Sequence, residues 1–429
     1  MITRRVLLVA YQCGNAMGSV SQIGWEWYAR LSREHVVTLV THVRNRAALS
    51  AAGAPFAGSD IVYIDTEWFA GPLYRLAKRL FPRSEHSVFL ISSLDYFVFD
   101  WSALRQLREK LKLGRRWDLL HRVTPVTLAA PTWLGRLGLP TVIGPLNSGL
   151  KDPRGFGKIM RQESTWLVRL REFGRLFDQL IGSSRRAARI LTASRATLAG
   201  VPERYRGRCR DMLENGVELT RFVPTAWPDA PAPGNPLKIL FVGRLIPVKA
   251  LDLLLDAVAE LTAKGAALEL TVAGDGPMRV QWESRAAALG LAPRVHFAGN
   301  LSLAQVSAQM QRCHVFCLPS VRESGGAVLL EAMASARPVI AVNFGGPGEL
   351  VDREVGALIE LSTPEQVTAD LAALLREVMM HPENWRRRGL AGRRRVESLY
   401  SWSAKVASAA ALYTEILNEG TKNELESRA

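Results

Sequence analysis

The 429-residue sequence lacks any long uninterrupted run of apolar residues. A membrane-spanning helix needs roughly 18 such residues, so the sequence predicts none. The first apolar stretch, VLLVA at residues 6–10, is too short for the core of a secretion signal, and YQCG at residues 11–14 is a poor cleavage site. We therefore interpret residues 6–10 as a buried strand and predict a cytoplasmic protein.

Cysteine and the common phosphate-binding motifs are also scarce. The four cysteines include one pair with three intervening residues, Cys313 and Cys317, and no second pair follows. This spacing favours core thiols over metal ligands. The first turn has no GxGxxG pattern, and no GxxxxGK[ST] pattern occurs anywhere in the chain. Both a dinucleotide fingerprint and a P-loop are thus excluded.

Acidic residues are scarce in one half of the chain only. Residues 1–220 contain 33 Lys and Arg against 18 Asp and Glu, whereas residues 221–429 contain 22 of each class. The net charge of +15 therefore lies in the N-terminal half, which favours an anionic partner. No nucleic-acid reader motif accompanies the charge, so we predict no nucleic acid and favour an anionic membrane surface.

Two basic segments are candidates for such a membrane contact, residues 105–116 and 155–180. The second is predicted to be an amphipathic helix with Trp166, Phe173 and Phe177 on its apolar face. The alternative is that both are ordinary solvated helix faces and that these aromatic residues belong to the core.

Apolar runs alternate with helix-forming stretches along the whole chain, which predicts an α/β fold with doubly wound parallel sheets. Residues 224–236 (PTAWPDAPAPGNP) are rich in Pro and are predicted to be a linker. The predicted division is an N-terminal domain over 1–220, a linker over 221–236 and a C-terminal domain over 237–398. A C-terminal helix over 399–420 is predicted to pack back on the N-terminal domain, with a disordered tail at 421–429.

Two acidic residues flank a predicted loop–helix junction in VRESGGAVLLEAMASARPVIAV, residues 321–342. The loop holds Glu323, and the helix over 327–336 holds Glu331. The first N–H groups of a helix have no partner within it and attract anions. Carboxylates accept hydrogen bonds from hydroxyl groups, so this junction suits a phosphate flanked by two polyols, as in a nucleotide-sugar.

Two cations are predicted at the carboxyl edge of the same sheet. Gly243, Arg244 and Lys249 follow the predicted strand at 239–242, and together they describe an anion clamp. The alternative is a surface turn with two solvated cations. The turn AGDGP at 273–277 is expected to be a wall of the same crevice, or else a tight turn without ligand contact.

These motifs resemble the retaining glycosyltransferases of family four, which have the GT-B architecture. The elements NGV, GRL…K, AGDGP and PS…E-x7-E occur here in that order, and the likeness runs over nearly the whole chain. A subgroup with a GSE…GW loop, a DxxH strand and a GP loop is matched by Gly18-Ser19…Gly24-Trp25, by residues 118–121 and by residues 144–145. The resemblance implies two doubly wound Rossmann-like domains that face each other across a cleft.

The resemblance also implies roles for individual residues. Arg244 and Lys249 would bind the donor diphosphate, Glu323 would contact the sugar hydroxyls, and Glu331 would hold the ribose. The other residues implied to bind the donor are Gly18, Ser19, Gly243, Gly299, Asn300, Leu301, Ser324, Gly325, Gly326 and Ala327. The residues implied to be catalytic are Glu323, Arg244, Lys249 and His121.

Three positions depart from the family pattern. Val20 replaces a frequent acidic residue, and Ala250 replaces the usual Gly after the Lys. Many relatives have a His where this chain has Val123, so His121 is either the functional imidazole or a buried strand residue, with Thr124 as a weaker candidate.

The sequence contains no Asp-x-Asp pair, which metal-dependent glycosyltransferases of the other common architecture use to hold an ion on the diphosphate. We therefore predict no metal and no cofactor. The expected function is transfer of a sugar from a UDP- or GDP-sugar to a saccharide or lipid-linked acceptor, for a surface polysaccharide or glycolipid. The expected location is cytoplasmic, peripheral on the inner face of the cell membrane. The competing interpretations are a nucleotide-sugar epimerase, a phosphorylase, or an inactive relative that binds sugar nucleotides.

Overall fold

A computed structural model describes residues 3–15, 17–81, 91, 93–150, 153, 155–157, 177–232 and 234–428. The chain divides into two compact units. The first unit comprises Met1–Gly149, Trp166–Glu214 and Lys405–Ala429, and the second comprises Leu150–Thr165 and Asn215–Ala404. Among the described residues, every helix is too short or too polar to cross a membrane.

The first unit is built on a parallel sheet of seven strands in the order β3-β2-β1-β4-β5-β6-β7. This order is that of a doubly wound sheet, as predicted, with one further strand at its edge. The strands are β1 Arg5–Ala10, β2 Val36–His42, β3 Asp60–Ile64, β4 Leu119–Thr124, β5 Thr141–Leu146, β6 Ala187–Thr192 and β7 Cys209–Asp211. The short edge strands β3 and β7 were not predicted, because neither has a long apolar run.

Helices cover the faces of this sheet, and their apolar sides fill the core. They are α1 Ser19–Glu34, α2 Arg46–Ala51, α3 Glu67–Leu80, α4 Asp95–Lys112, α5 Ser183–Arg186 and α6 Arg195–Gly200. Phe99, Ala103, Leu104 and Leu107 of α4 are fully buried, and its basic residues Arg105 and Arg108 are exposed. Most of the basic helix predicted over 155–180 lies outside the described residues.

The second unit repeats the same topology with six parallel strands in the order β10-β9-β8-β11-β12-β13. The chain therefore reverses its winding direction between β8 and β11, and the loops there diverge to leave a crevice. The strands are β8 Leu237–Val242, β9 Leu268–Ala273, β10 Val295–Gly299, β11 Val315–Leu318, β12 Val339–Val342 and β13 Gly356–Ile359.

The helices of the second unit alternate with these strands, and the last helix returns to the first unit. They are α7 Leu251–Ala263, α8 Arg279–Ala288, α9 Leu303–Arg312, α10 Ala327–Ala334, α11 Pro347–Leu350, α12 Pro364–Met380, α13 Pro382–Arg395 and α14 Trp402–Arg428. A short π-helix, Val396–Tyr400, precedes α14. A disordered tail was predicted at 421–429, but the structure has helix α14 continuing to Arg428.

The Pro-rich segment differs from the predicted linker, because it lies inside the second unit. Trp227 donates a hydrogen bond from Nε1 to the His314 carbonyl oxygen at 3.0 Å, and the buried Arg337 guanidinium bonds Thr225 Oγ1 at 2.9 Å. Pro residues disfavour regular structure, but they do not stop neighbouring side chains from bonding to the domain. The changes of unit that flank this segment are at residues 214–215 and 404–405, and two more are at 149–150 and 165–166.

Two local predictions are wrong for backbone reasons. The GP loop implied at residues 144–145 is instead part of β5, which extends through Gly144 and Pro145 and pairs again with β6 at Leu146. The helix predicted over 327–336 ends earlier, at Ala334. There Ala336 adopts a positive φ, and the Arg337 amide bonds the Ala332 carbonyl oxygen, which is a Schellman ending.

The predicted catalytic residue His121 is a fully buried part of the core of the first unit. Its Nε2 lies 2.7 Å from the Gly144 carbonyl oxygen, which can only accept, so Nε2 carries the proton. Its Nδ1 then accepts from the Tyr413 hydroxyl at 2.6 Å. Burial lowers the pKa of His121 to about 4. With both nitrogens bonded and no solvent access, the surroundings of His121 favour the alternative of a buried strand residue over that of a functional imidazole.

Replacing Tyr413 with Phe removes the donor to His121 Nδ1 and leaves a buried acceptor without a partner. We expect Tyr413→Phe to lower the free energy of unfolding by about 1–3 kcal/mol in urea titrations. Tyr74→Phe, on the half-exposed Tyr74, is the matched control and should change it by less than about 0.5 kcal/mol. Equal stability of the two variants would show that the His121–Tyr413 bond contributes nothing.

Candidate functional site

A cavity of about 650 Å³ lies in the second unit, at the carboxyl ends of its central strands. Ligands of doubly wound sheets bind at this edge, where the winding direction reverses. Its lining residues come from the ends of β8, β9 and β10, from the loop after β11, and from α9 and α10. They are Val242, Gly243, Arg244, Lys249, Ala273, Gly274, Asp275, Asn300, Leu301, Leu303, Val306, Glu323, Ala327, Val328 and Glu331.

Lys249 and Glu323 form an ion pair within this cavity. Lys249 ends a 3₁₀ turn, Pro247–Lys249, that follows β8. The Val321 amide donates to the Val248 carbonyl oxygen at 2.9 Å, so the two loops that carry the pair are joined by their backbones. The exposed fraction is 16% for the Lys249 side chain and 15% for the Glu323 side chain. A ligand can therefore reach the pair from one side only.

The backbone of Glu323 is held by two glycines that follow β12. Glu323 and Gly345 form a parallel bridge, and the Gly346 amide donates to the Glu323 carbonyl oxygen at 2.9 Å. Gly345 has a φ of 72°, and a Cβ added there would lie 2.1 Å from the Glu323 carbonyl oxygen. Only glycine permits this approach. The glycines of the segment NFGGPG, about twenty residues further along the chain, therefore hold the backbone of Glu323 in place.

Helix α10 starts at the edge of the cavity, with Ala327 and Val328 among the lining residues. The N–H groups of these two residues are in the first turn and have no acceptor within the helix. Together with the helix dipole they offer a binding position for an anion.

Glu331 lies on the next turn of α10 and also lines the cavity. Burial raises the pKa of Glu331 to about 7, and the nearby charge of Arg221 offsets only part of this effect. Near neutral pH this carboxyl group can therefore both accept and donate hydrogen bonds.

Arg244 lies at the cavity wall with an exposed side chain. Within the described part of the chain its guanidinium group has no ion-pair partner. The backbones of Gly243 and Gly274 lie close together beside it, because a Cβ added to Gly274 would lie 2.0 Å from the Gly243 carbonyl oxygen. Gly274, with a φ of 137°, thus brings the β9 turn close to the β8 turn. Arg244 is therefore positioned by backbone contacts and is free to meet an anion.

The far side of the cavity is formed after β10 by Asn300 and Leu301. Ser302 then caps α9, since its hydroxyl accepts from the Gln305 amide while the Gln305 side chain accepts from the Ser302 amide. This capping box fixes where the loop ends, and it brings Leu303 and Val306 of α9 to the lining.

The structure thus brings together eight of the predicted donor-binding residues, namely Gly243, Arg244, Lys249, Asn300, Leu301, Glu323, Ala327 and Glu331. Gly299, Ser324, Gly325 and Gly326 are their chain neighbours and do not themselves line the cavity. Gly18 and Ser19 belong to the first unit, where Gly18 precedes α1 with a φ of 105°. The roles of all these residues stay predictions.

Sequence reasoning missed the apolar lining and the support behind Glu323. Leu303, Val306 and Val328 are ordinary helix residues, and no local pattern distinguishes them from core residues. The glycine pair Gly345-Gly346 was visible in the sequence, but its contact with Glu323 is a tertiary one. Among the described residues, no group of three or more His, Cys, Asp or Glu could hold a metal ion.

Replacing Glu331 with Gln should raise stability in a pH-dependent way. A carboxyl group with a raised pKa favours folding below its unfolded value of 4.5, and this contribution is lost as pH rises to about 7. We therefore expect Glu331→Gln to increase Tm by a few degrees at pH 8 and by much less at pH 5, as measured by calorimetry. The control Glu269→Gln alters an exposed residue and should give the same Tm difference at both pH values. The burial effect on Glu331 is refuted if the two variants behave alike.

Comparison with known proteins agrees with this geometry. Residues 225–391 match the family model Glycosyl transferases group 1. A D-inositol 3-phosphate glycosyltransferase of Geodermatophilus obscurus is 34% identical over 220 residues, which are 48% of this chain and 47% of that protein. The matched segments thus span about half the length of the curated relatives.

Solved structures match over nearly the whole chain. Anabaena Alr3699/HepE in complex with UDP covers 96% of this chain and 100% of its own, with a TM-score of 0.63 and 16% identity. The match to sucrose-phosphate synthase from Thermosynechococcus elongatus covers 97% of this chain and 100% of that chain, with a TM-score of 0.60 and 19% identity. These likenesses confirm the predicted fold, two Rossmann-like α/β domains of the GT-B class. The segment that matches the family model, residues 225–391, lies within the second unit.

Proposed function

We propose that this protein is a retaining glycosyltransferase that moves a sugar from a UDP- or GDP-sugar to a saccharide acceptor. The observation that carries the proposal is the cavity of the second unit, where Arg244, Lys249, Glu323 and Glu331 line one space of about 650 Å³. This volume lies within the usual range for small-molecule sites. A nucleotide-sugar offers a diphosphate to the cations and hydroxyl groups to the carboxylates.

Arg244 and Lys249 are proposed to stabilise the leaving nucleoside diphosphate. As the bond between the sugar C1 and the phosphate oxygen breaks, negative charge collects on the diphosphate. Two fixed cations and the N-terminus of α10 can stabilise that charge in a partly buried site. The acceptor oxygen forms its bond to C1 on the same face, and its proton passes to a phosphate oxygen. This chemistry requires positioning more than a protein nucleophile.

The carboxylates are proposed to orient the two ends of the donor. Glu323, held by Lys249 and by the Gly345-Gly346 backbone, would bind the sugar hydroxyls. Glu331 would bind the ribose. The segment 299–301 would lie near the base, and the amides of residues 325–327 would border the sugar and the phosphate.

A UDP-linked donor is favoured by one comparison, because Anabaena Alr3699/HepE has the same fold and was solved with UDP bound. The acceptor is proposed to be lipid-linked and to serve a surface polysaccharide or glycolipid. The positive charge of residues 1–220 supports this, since an anionic membrane surface would attract that half of the chain.

The transfer reaction is proposed to need no metal, because Arg244 and Lys249 supply the positive charge that a divalent ion would supply. The transfer rate is measured as the rate of UDP release. We expect this rate to change by less than about twofold when EDTA is added at roughly 5 mM. Loss of activity in EDTA and its return with Mg²⁺ or Mn²⁺ would contradict the proposal.

Replacing Lys249 with Ala should lower kcat by roughly 100- to 1000-fold, because one preorganised charge at the leaving group is lost. The measurement is release of UDP coupled to glycosylation of the acceptor. Lys264→Ala is the matched control, since Lys264 also pairs with a glutamate, Glu260, but at the exposed end of α7. Its kcat should stay within twofold of the unmodified protein.

The outcomes of this experiment separate the competing functions. Near-normal turnover of Lys249→Ala, with its fold intact by circular dichroism, would overturn the proposed role. Interconversion of the nucleotide-sugar without transfer would indicate an epimerase. Stabilisation by nucleotide-sugars without any turnover of the unmodified protein would indicate an inactive relative that only binds.

A further inference from the structure

Helix α3, Glu67–Leu80, has large apolar side chains that point into solvent. Trp68 is 70% exposed, Leu76 is 53% exposed and Leu80 is 60% exposed. These residues are spaced by eight and four positions, and successive steps of four keep a side chain near one face of a helix. Pro72, also exposed, fills the remaining position of this stripe. We call Trp68, Pro72, Leu76 and Leu80 the apolar stripe.

The helix is attached to its unit by a different face. Ala70 and Ala77, seven residues apart, are its buried residues, and both have small side chains. Phe69 and Leu73 are half-buried, and the residues of the apolar stripe are left outside the core of the unit. This differs from α4, whose Phe99, Leu104 and Leu107 are completely buried.

Positive charge borders the apolar stripe. Arg75 and Arg79 each lie one turn or less from it and are exposed, and Lys78 lies further round the helix. Within the described residues none of these three cations has an ion-pair partner. The single acidic residue of the helix, Glu67, is paired with Arg44. The exposed surface of α3 is thus apolar on one side and purely cationic beside it.

We propose that α3 docks this protein on an anionic lipid surface, with the apolar stripe inserted between lipid headgroups. Aromatic and aliphatic residues on one face, with Arg and Lys next to them, are typical of helices that lie in a membrane interface. The cations select negatively charged headgroups. A second copy of this chain fits less well, because its α3 would bring like charges together.

This inference specifies the membrane contact of the proposed function, but it does not rest on the transfer reaction. The segment 105–116 predicted from the sequence offers a weaker apolar contact, because Leu107 is buried there and Leu113, at 86%, is its one exposed large apolar residue. Vesicle binding is measured without donor or acceptor, so failure of one proposal is distinguishable from failure of the other.

The test uses the full chain and co-sedimentation with vesicles of phosphatidylcholine and phosphatidylglycerol at low salt. We expect Arg75→Gln/Arg79→Gln to weaken binding by roughly 10- to 30-fold, since each cation near an anionic surface contributes about three- to fivefold. Arg105→Gln/Arg108→Gln, with the same charge change on exposed residues of α4, is the matched control and should stay within about threefold.

A second variant tests the apolar stripe. Trp68→Ala/Leu76→Ala/Leu80→Ala keeps good helix-forming residues at exposed positions, so the helix should persist. Its vesicle binding should fall at least about tenfold, because burial of apolar surface in the interface is lost. Circular dichroism and the thermal shift produced by UDP should match those of the unmodified protein.

Three results would overturn the proposal. The first is no binding of the unmodified protein to anionic vesicles. The second is equal loss of binding for the α3 and α4 charge variants, which would indicate a diffuse electrostatic attraction. The third is a change from dimer to monomer in the apolar variant with vesicle binding intact, which would identify α3 as an interface between copies.

Discussion

The ion pair between Lys249 and Glu323 depends on the point where the sheet of the second unit reverses its winding. Lys249 follows β8 and Glu323 follows β11, and these two strands are paired in parallel. Their following segments diverge, so the carboxyl edge opens between them. The backbone bond from Val321 to Val248 and the bridge to Gly345 then fix both loops. A partly buried pair of opposite charges needs such support, because desolvation is otherwise costly.

The carboxyl group of Glu331 in the cavity lowers the stability of the fold when it is charged. Glu331 is buried enough for its pKa to rise to about 7, which means that its charged form is disfavoured in the folded protein. A titratable residue of the first unit has different surroundings. There His121 is bonded at both nitrogens and belongs to the core, without access to a cavity.

The basic half of the chain shows the same dependence on context. Residues 105–116 and the α3 segment are both rich in cations and apolar residues, and composition does not distinguish them. In the folded unit Phe99, Leu104 and Leu107 of α4 are buried, whereas α3 is attached through Ala70 and Ala77 and keeps Trp68 exposed. Exposure of an apolar stripe is a property of the packing, because it depends on which neighbours cover the helix.

The sequence by itself determined the alternation of strands and helices, the two doubly wound units and most of the cavity residues. Buried parallel strands are short apolar runs, and ligand-binding residues follow them at one edge of the sheet, so both leave local patterns. Only the tertiary structure decided that residues 221–236 belong to the second unit, that His121 is closed off by Tyr413, and that Gly345 holds Glu323. These are contacts between residues distant in the chain, and burial and pairing at such distances leave no local pattern to be read.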